Sequence, residues 1–231
     1  MRGHALRYLW WQIVDRTGPR ILAAVAVSGG FLGILYMAMR EDKPSPAIAE
    51  NVLGQLHYQL VFMFILLLLN GVVSQDRIQG WYRFYLAKPV SPSWFYGQHA
   101  VLALLGLLAA SAVFITLGSL LIQPIWNWHH MGPAVAAFLL YGMMMFLWST
   151  LVKHDWLVGG LLLIGSAVAK SRWKPGTGAL GDLLHRVLPP THLLGWNRDL
   201  TAAQWAWVAG WGVGLLILAL LVLRFRPLGE D

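Results

Sequence analysis

The sequence predicts an all-α integral membrane protein with about six transmembrane helices. Three observations carry that prediction. Hydrophobic residues make up 58% of the 231 and charged residues only 12%, against roughly 25% charged in soluble domains. Apolar runs long enough to cross a bilayer recur along the chain. Lys and Arg gather at the ends of those runs, where they anchor helices at the headgroups. The mean hydropathy is positive, so the solvent for most of this chain is lipid.

The elements follow in chain order. Residues 1–17 place Leu6, Leu9, Trp10, Ile13 and Val14 at helical spacing between Arg7, Gln12, Asp15 and Arg16. That pattern predicts an amphipathic helix lying in the membrane interface, broken by Thr17-Gly18-Pro19. The first span is read as Ile21 to Met39, closed by Arg40, Glu41, Asp42 and Lys43. The second runs from Val52 to Gln75 and the third from His99 to Ile122, which ends at Gln123-Pro124. An aromatic turn, Ile125 to His130, leads into the fourth, Pro133 to Val152. A short fifth covers Trp156 to Ala169, and the sixth covers Ala203 to Leu223. Between the last two, residues 170–200 form an amphipathic insertion with Leu180, Leu183, Leu184, Val187 and Leu188 on one face before Pro189-Pro190. It is expected to pack into the membrane rim. If the fourth and fifth segments form one re-entrant hairpin instead, the chain crosses five times.

The first apolar run begins behind Arg2, Arg7, Arg16 and Arg20, which is not the layout of a cleavable signal. With the N-terminus inside, ten of the 17 Lys and Arg fall on cytoplasmic pieces, and both termini are expected in the cytoplasm of a cell with this chain in its inner membrane. The seven on the outer side lie mostly in residues 170–200. The formal charge of +7 is therefore explained by anchoring and orientation, and nucleic-acid binding is not expected. With no cysteine, disulfides and thiolate metal sites are excluded.

None of the six segments contains Asp, Glu, Lys or Arg, because a charge at the bilayer centre costs at least ~2.5 kcal/mol. A proton- or sodium-coupled transporter usually keeps a carboxylate within the membrane, so coupling energy has to come from outside the spans. There is no phosphate-binding loop either, since Lys170-Ser171 lacks the preceding glycine that such a loop needs.

The most informative stretch joins the second and third spans, residues 76–92. It runs Asp76-Arg77-Ile78-Gln79-Gly80-Trp81-Tyr82-Arg83-Phe84-Tyr85-Leu86-Ala87-Lys88-Pro89-Val90-Ser91-Pro92. Ile78, Trp81, Tyr82, Phe84, Tyr85 and Leu86 stand among Arg77, Arg83 and Lys88, as in a helix lying at the headgroups. Pro89 and Pro92 stop it before the third span. This stretch resembles the first cytoplasmic loop of type 2 ABC-transporter permeases. Asp76 stands where that family usually has Glu, Trp81 stands in place of a common Thr, and Gly80, Pro89, Val90 and Ser91 match. The resemblance implies a permease subunit that is not itself an enzyme and carries no cofactor, with ATP and Mg held by a separate cytoplasmic ATPase. It implies a dimer with a second copy or a homologue, and export more often than import. It assigns coupling to the ATPase to Asp76, Arg77, Gly80, Trp81, Arg83, Phe84 and Pro89.

Polar groups within or beside the spans are the other candidates. His57, Gln59 and Asn70 are read as a possible substrate path, or as interhelical hydrogen-bonding groups, because polar side chains avoid lipid. His129-His130 has no third ligand nearby in sequence and reads as an interfacial turn rather than a metal site. Met143, Met144 and Met145 read as packing. Gly29, Gly30 and Gly33, and Gly210 with Gly214, offer small faces for close packing, within the chain or between copies. Two other function classes stay open: a membrane enzyme acting on lipid or isoprenoid substrates, and a non-transporting scaffold subunit.

Overall fold

The computed structural model describes residues 10–40, 45–80, 91–122, 128–173, 178–187 and 199–225, with positions 7, 124, 176, 193 and 194. Every regular element among them is helical. We number the helices α1 (Gly18–Met39), α2 (Pro46–Leu69), α3 (Ser74–Gln79), α4 (Pro92–Leu121), α5 (Gly132–Leu151), α6 (Asp155–Arg172), α7 (Ala179–Val187) and α8 (Ala202–Phe225). Five of these stretches are long and apolar enough to cross a membrane: Val14–Met39, Pro46–Gln79, Pro92–Leu121, Gly132–Leu151 and Ala202–Phe225.

The fifth segment of the sequence reading is α6, which is not among these five. Its 18 residues include Asp155, Lys170 and Arg172. The uncharged stretch between them rises about 21 Å at 1.5 Å per residue, short of the ~30 Å hydrocarbon core.

Thr17-Gly18-Pro19 does not break the chain as the sequence suggested. A π-helical turn, Gln12–Thr17, runs directly into α1, and Thr17 has helical dihedrals. Pro19 has no N–H to give to that preceding turn, while its fixed φ suits a helical position. The widened turn accommodates the missing bond. Residues 1–6, 8 and 9 of the expected interfacial helix lie outside the described residues.

The chain forms two compact units. One comprises Met1–Leu68, Gln98–Ala137 and Gly195–Asp199. In it α1 buries Ala24, Ser28 and Leu32, one residue per turn along a single stripe. α2 buries Leu53, His57, Val61, Phe64 and Leu68, and α4 buries Ala103, Leu107, Ala110 and Phe114. Gly106 lets α1 approach α4: a Cβ there would lie 2.7 Å from the Ile21 side chain. The opposite face of α1 exposes Leu22, Ile34 and Met37, as expected where the surrounding medium is as apolar as the side chain.

The other unit comprises Leu69–Gly97, Phe138–Leu194 and Leu200–Asp231. Its core is α5, which buries Met143 to Leu147 without a break, with a π-helical stretch at Phe138–Gly142. The three methionines pack here, in line with the sequence reading. α8 lies against α5 with Val208, Gly212, Ala219 and Leu223 buried. Gly212 makes the contact close, since a Cβ there would sit 2.8 Å from the Leu139 carbonyl oxygen. Gly210 and Gly214, the glycines singled out from sequence, face open space, as do Gly29, Gly30 and Gly33.

Candidate functional site

In a membrane, helix ends are the weak points, because the last carbonyls and first N–H groups of each helix have no partner within it. Hydrocarbon supplies none either. Several polar side chains of this protein serve those ends.

The clearest case surrounds the start of the predicted coupling loop. α2 ends at Leu69, and a turn through Gly71 (φ 71°) leads into α3. That backbone conformation costs a residue with a Cβ roughly 1–2 kcal/mol, and a Cβ at Gly71 would in addition meet the Gln75 side chain. The Gly71 N–H donates to Asp155 Oδ2 at 2.9 Å. The residue at the N-cap of α3 is Val73, whose side chain cannot cap it. The Ser149 hydroxyl from α5 caps it instead, accepting from Val73 N–H (2.9 Å) and Ser74 N–H (3.2 Å). In return, Arg77 Nη1 donates to the Thr150 carbonyl (3.1 Å) in the last turn of α5, where a cation also meets the negative end of the helix dipole.

Asp76 is 5% exposed and accepts from the Tyr96 hydroxyl at 2.9 Å. The segment is thus tied to the C-terminal end of α5, the N-terminal end of α6 and the first turns of α4. Gly80 closes α3 in the left-handed region (φ 72°), which a residue without a Cβ adopts freely. Trp81, Arg83, Phe84 and Pro89 lie outside the described residues.

The first unit repeats the device at the end of α2. Arg20 Nη1 donates to the Leu68 carbonyl at 3.3 Å, and His99 Nε2 lies 3.2 Å from the same oxygen. A carbonyl only accepts, so Nε2 is the donor in this contact. Nearer the other end, His57 is fully buried and stacked on Phe114, with ring centroids 5.4 Å apart.

His57 and Gln59 do not share a surface. Two residues along an α-helix are about 200° apart, so burying His57 turns Gln59 outward. Gln59 lines a groove of about 620 Å³ between α1 and α2, together with Gln55, Leu56, Phe31, Ile34 and Leu35. Asn70 sits half-buried in the turn after α2.

Sequence reasoning singled out Asp76, Arg77 and Gly80 but missed Tyr96, Ser149, Thr150 and the role of Asp155. One signal was available. With only 10 acidic residues in the chain, an Asp at the first position of an apolar segment invites the question of which N–H it serves. Among the described residues no group of three His, Cys, Asp or Glu could hold a metal ion. The groups that converge are hydrogen-bonding ones, and they hold the turn between α2 and α3 against the ends of α4, α5 and α6. No family model, no curated protein and no solved structure matches this chain.

Proposed function

We propose that this chain is the membrane-spanning permease subunit of an ATP-binding-cassette transporter, an exporter whose ATP is hydrolysed by a separate cytoplasmic subunit. The observation that carries the reading is the anchored base of the loop at Asp76–Gly80. A loop that receives force from a partner and passes it to the spans needs a stiff root. Here five hydrogen bonds from Gly71, Val73, Ser74, Arg77 and Tyr96 tie that root to helix ends. The resemblance of residues 76–92 to the coupling loop of type 2 permeases supplies the partner's identity. On this reading Asp76 and Arg77 position the loop from within. Trp81, Arg83 and Phe84, beyond the Gly80 turn, meet the ATPase.

The reading includes a sixth crossing by α6, both termini in the cytoplasm and the inner cell membrane as location. The short uncharged stretch of α6 then crosses with local thinning of the bilayer, at a cost of a fraction of a kcal/mol per Å of mismatch.

The test is purification of the chain from its native membrane in mild detergent, with mass spectrometry of what accompanies it. A stoichiometric soluble ATPase, lost when residues 77–88 are replaced by a Gly/Ser linker, is the expected result. If the chain emerges alone, or only with other membrane subunits, the permease reading fails, and the scaffold and lipid-enzyme readings take its place.

A further inference from the structure

α2 carries amides along one side, Asn51, Gln55 and Gln59, each one turn below the last. Gln55 and Gln59 are exposed and make no hydrogen bond among the described residues. They form the polar side of the α1–α2 groove, and its other wall is Phe31, Ile34 and Leu35. Depth sets the problem. Gln59 lies ten residues before Leu69, the end of α2, and so about 15 Å from that end. That is half the ~30 Å hydrocarbon core. An amide at the midplane that faces hydrocarbon is costly, so something in the bilayer has to offer it donors and acceptors at that depth.

We propose that the groove is filled by a second copy of this chain, with α2 meeting its counterpart across a twofold axis along the membrane normal. Three features select that occupant. A lipid keeps its hydrogen-bonding head at the interface and brings only hydrocarbon to the level of Gln59. An axis along the normal brings identical residues together at identical depth, so Gln55 meets Gln55 and Gln59 meets Gln59. A carboxamide carries both donor and acceptor, so it pairs with its own copy, which a one-signed charge cannot do.

The residues lining the groove carry no formal charge, so the meeting surfaces do not repel. Gly29, Gly30 and Gly33 of α1 leave open space on the same helix as the apolar wall, and that space permits close approach of another backbone. The inference deepens the permease reading by naming the contact between its two halves. It stands on the amides alone and does not require an ATPase.

The chain has no cysteine, so single substitutions report contacts directly. Gln55→Cys, Gln59→Cys and Leu105→Cys would each be made in the full chain, reconstituted alone in vesicles at low protein-to-lipid ratio and oxidised with a copper catalyst. Leu105, exposed on α4, serves as the collision control. The expected result is a disulfide-linked dimer at positions 55 and 59 at least tenfold faster than at 105. The double variant Gln55→Leu/Gln59→Leu should dissociate at about tenfold higher concentration, read by dilution of fluorescently labelled chains. That figure takes about threefold for each interhelical amide pair.

Equal rates at all three positions, or dimerisation unchanged in the Leu variant, overturn the proposal. An ATPase that co-purifies with a chain showing no linkage at 55 and 59 sinks this interface and leaves the permease reading standing. Linkage at 55 and 59 without any ATPase upholds the interface and removes the permease.

Discussion

Single side chains here act mainly on backbone groups of other helices, and that sets what a substitution does. Asp155 takes the buried N–H of Gly71. Asp155→Ala leaves that buried N–H without the carboxylate. The cost is about 1–3 kcal/mol, read as a lower midpoint of thermal unfolding in detergent. Tyr96→Phe removes the hydroxyl that Asp76 accepts and should cost about 1–3 kcal/mol by the same argument. A double-mutant cycle between Tyr96→Phe and Asp155→Ala should be close to additive unless the loop root moves as one body. A coupling energy above about 0.5 kcal/mol would reveal that cooperation. If the proposed function holds, Tyr96→Phe also lowers transport while leaving the ATPase bound, because the docking residues beyond Gly80 are untouched.

Elements meet where a missing side chain lets backbones approach. Gly212 brings α8 to within contact of the Leu139 carbonyl on α5. Gly212→Val inserts atoms against backbone rather than a flexible side chain, so the helices must part. A loss of about 1–3 kcal/mol follows, with faster proteolysis of α8 in detergent as the readout. Gly210→Val and Gly214→Val face open space in the chain and should leave its stability nearly unchanged. If Gly210→Val proves as damaging as Gly212→Val, the α5–α8 packing described here is wrong. The contrast also shows what the glycine spacing left open. Small residues spaced for packing are visible in a sequence, but which of two opposite faces meets a neighbour depends on the neighbour's place.

At the scale of the whole molecule, membrane orientation is the open mechanical question, and the absence of cysteine makes it measurable. With six crossings the connection between α6 and α7 is external. Gly176→Cys, in an exposed turn, should then react with a membrane-impermeant maleimide added to intact cells. Labelling only after the cells are opened would place that connection in the cytoplasm, with five crossings in place of six. α7 exposes Leu180 and Leu183, so its apolar face should stay with the membrane in either case. Trypsin should reach the α6–α7 connection only from the side on which Gly176 is labelled.

The amino-acid pattern alone determined the solvent, the helical class and the approximate place of each apolar helix. These follow from the cost of exposing backbone and charge to hydrocarbon, which each segment meets by itself. Only the tertiary structure decided that Ser149, rather than a residue of its own segment, caps α3. In the same way it turned His57 inward and Gln59 outward, and set Asp155 on Gly71. Those outcomes depend on which helix ends come together. The pairings join residues far apart in the chain, and no local period records the partner of an orphan N–H or carbonyl.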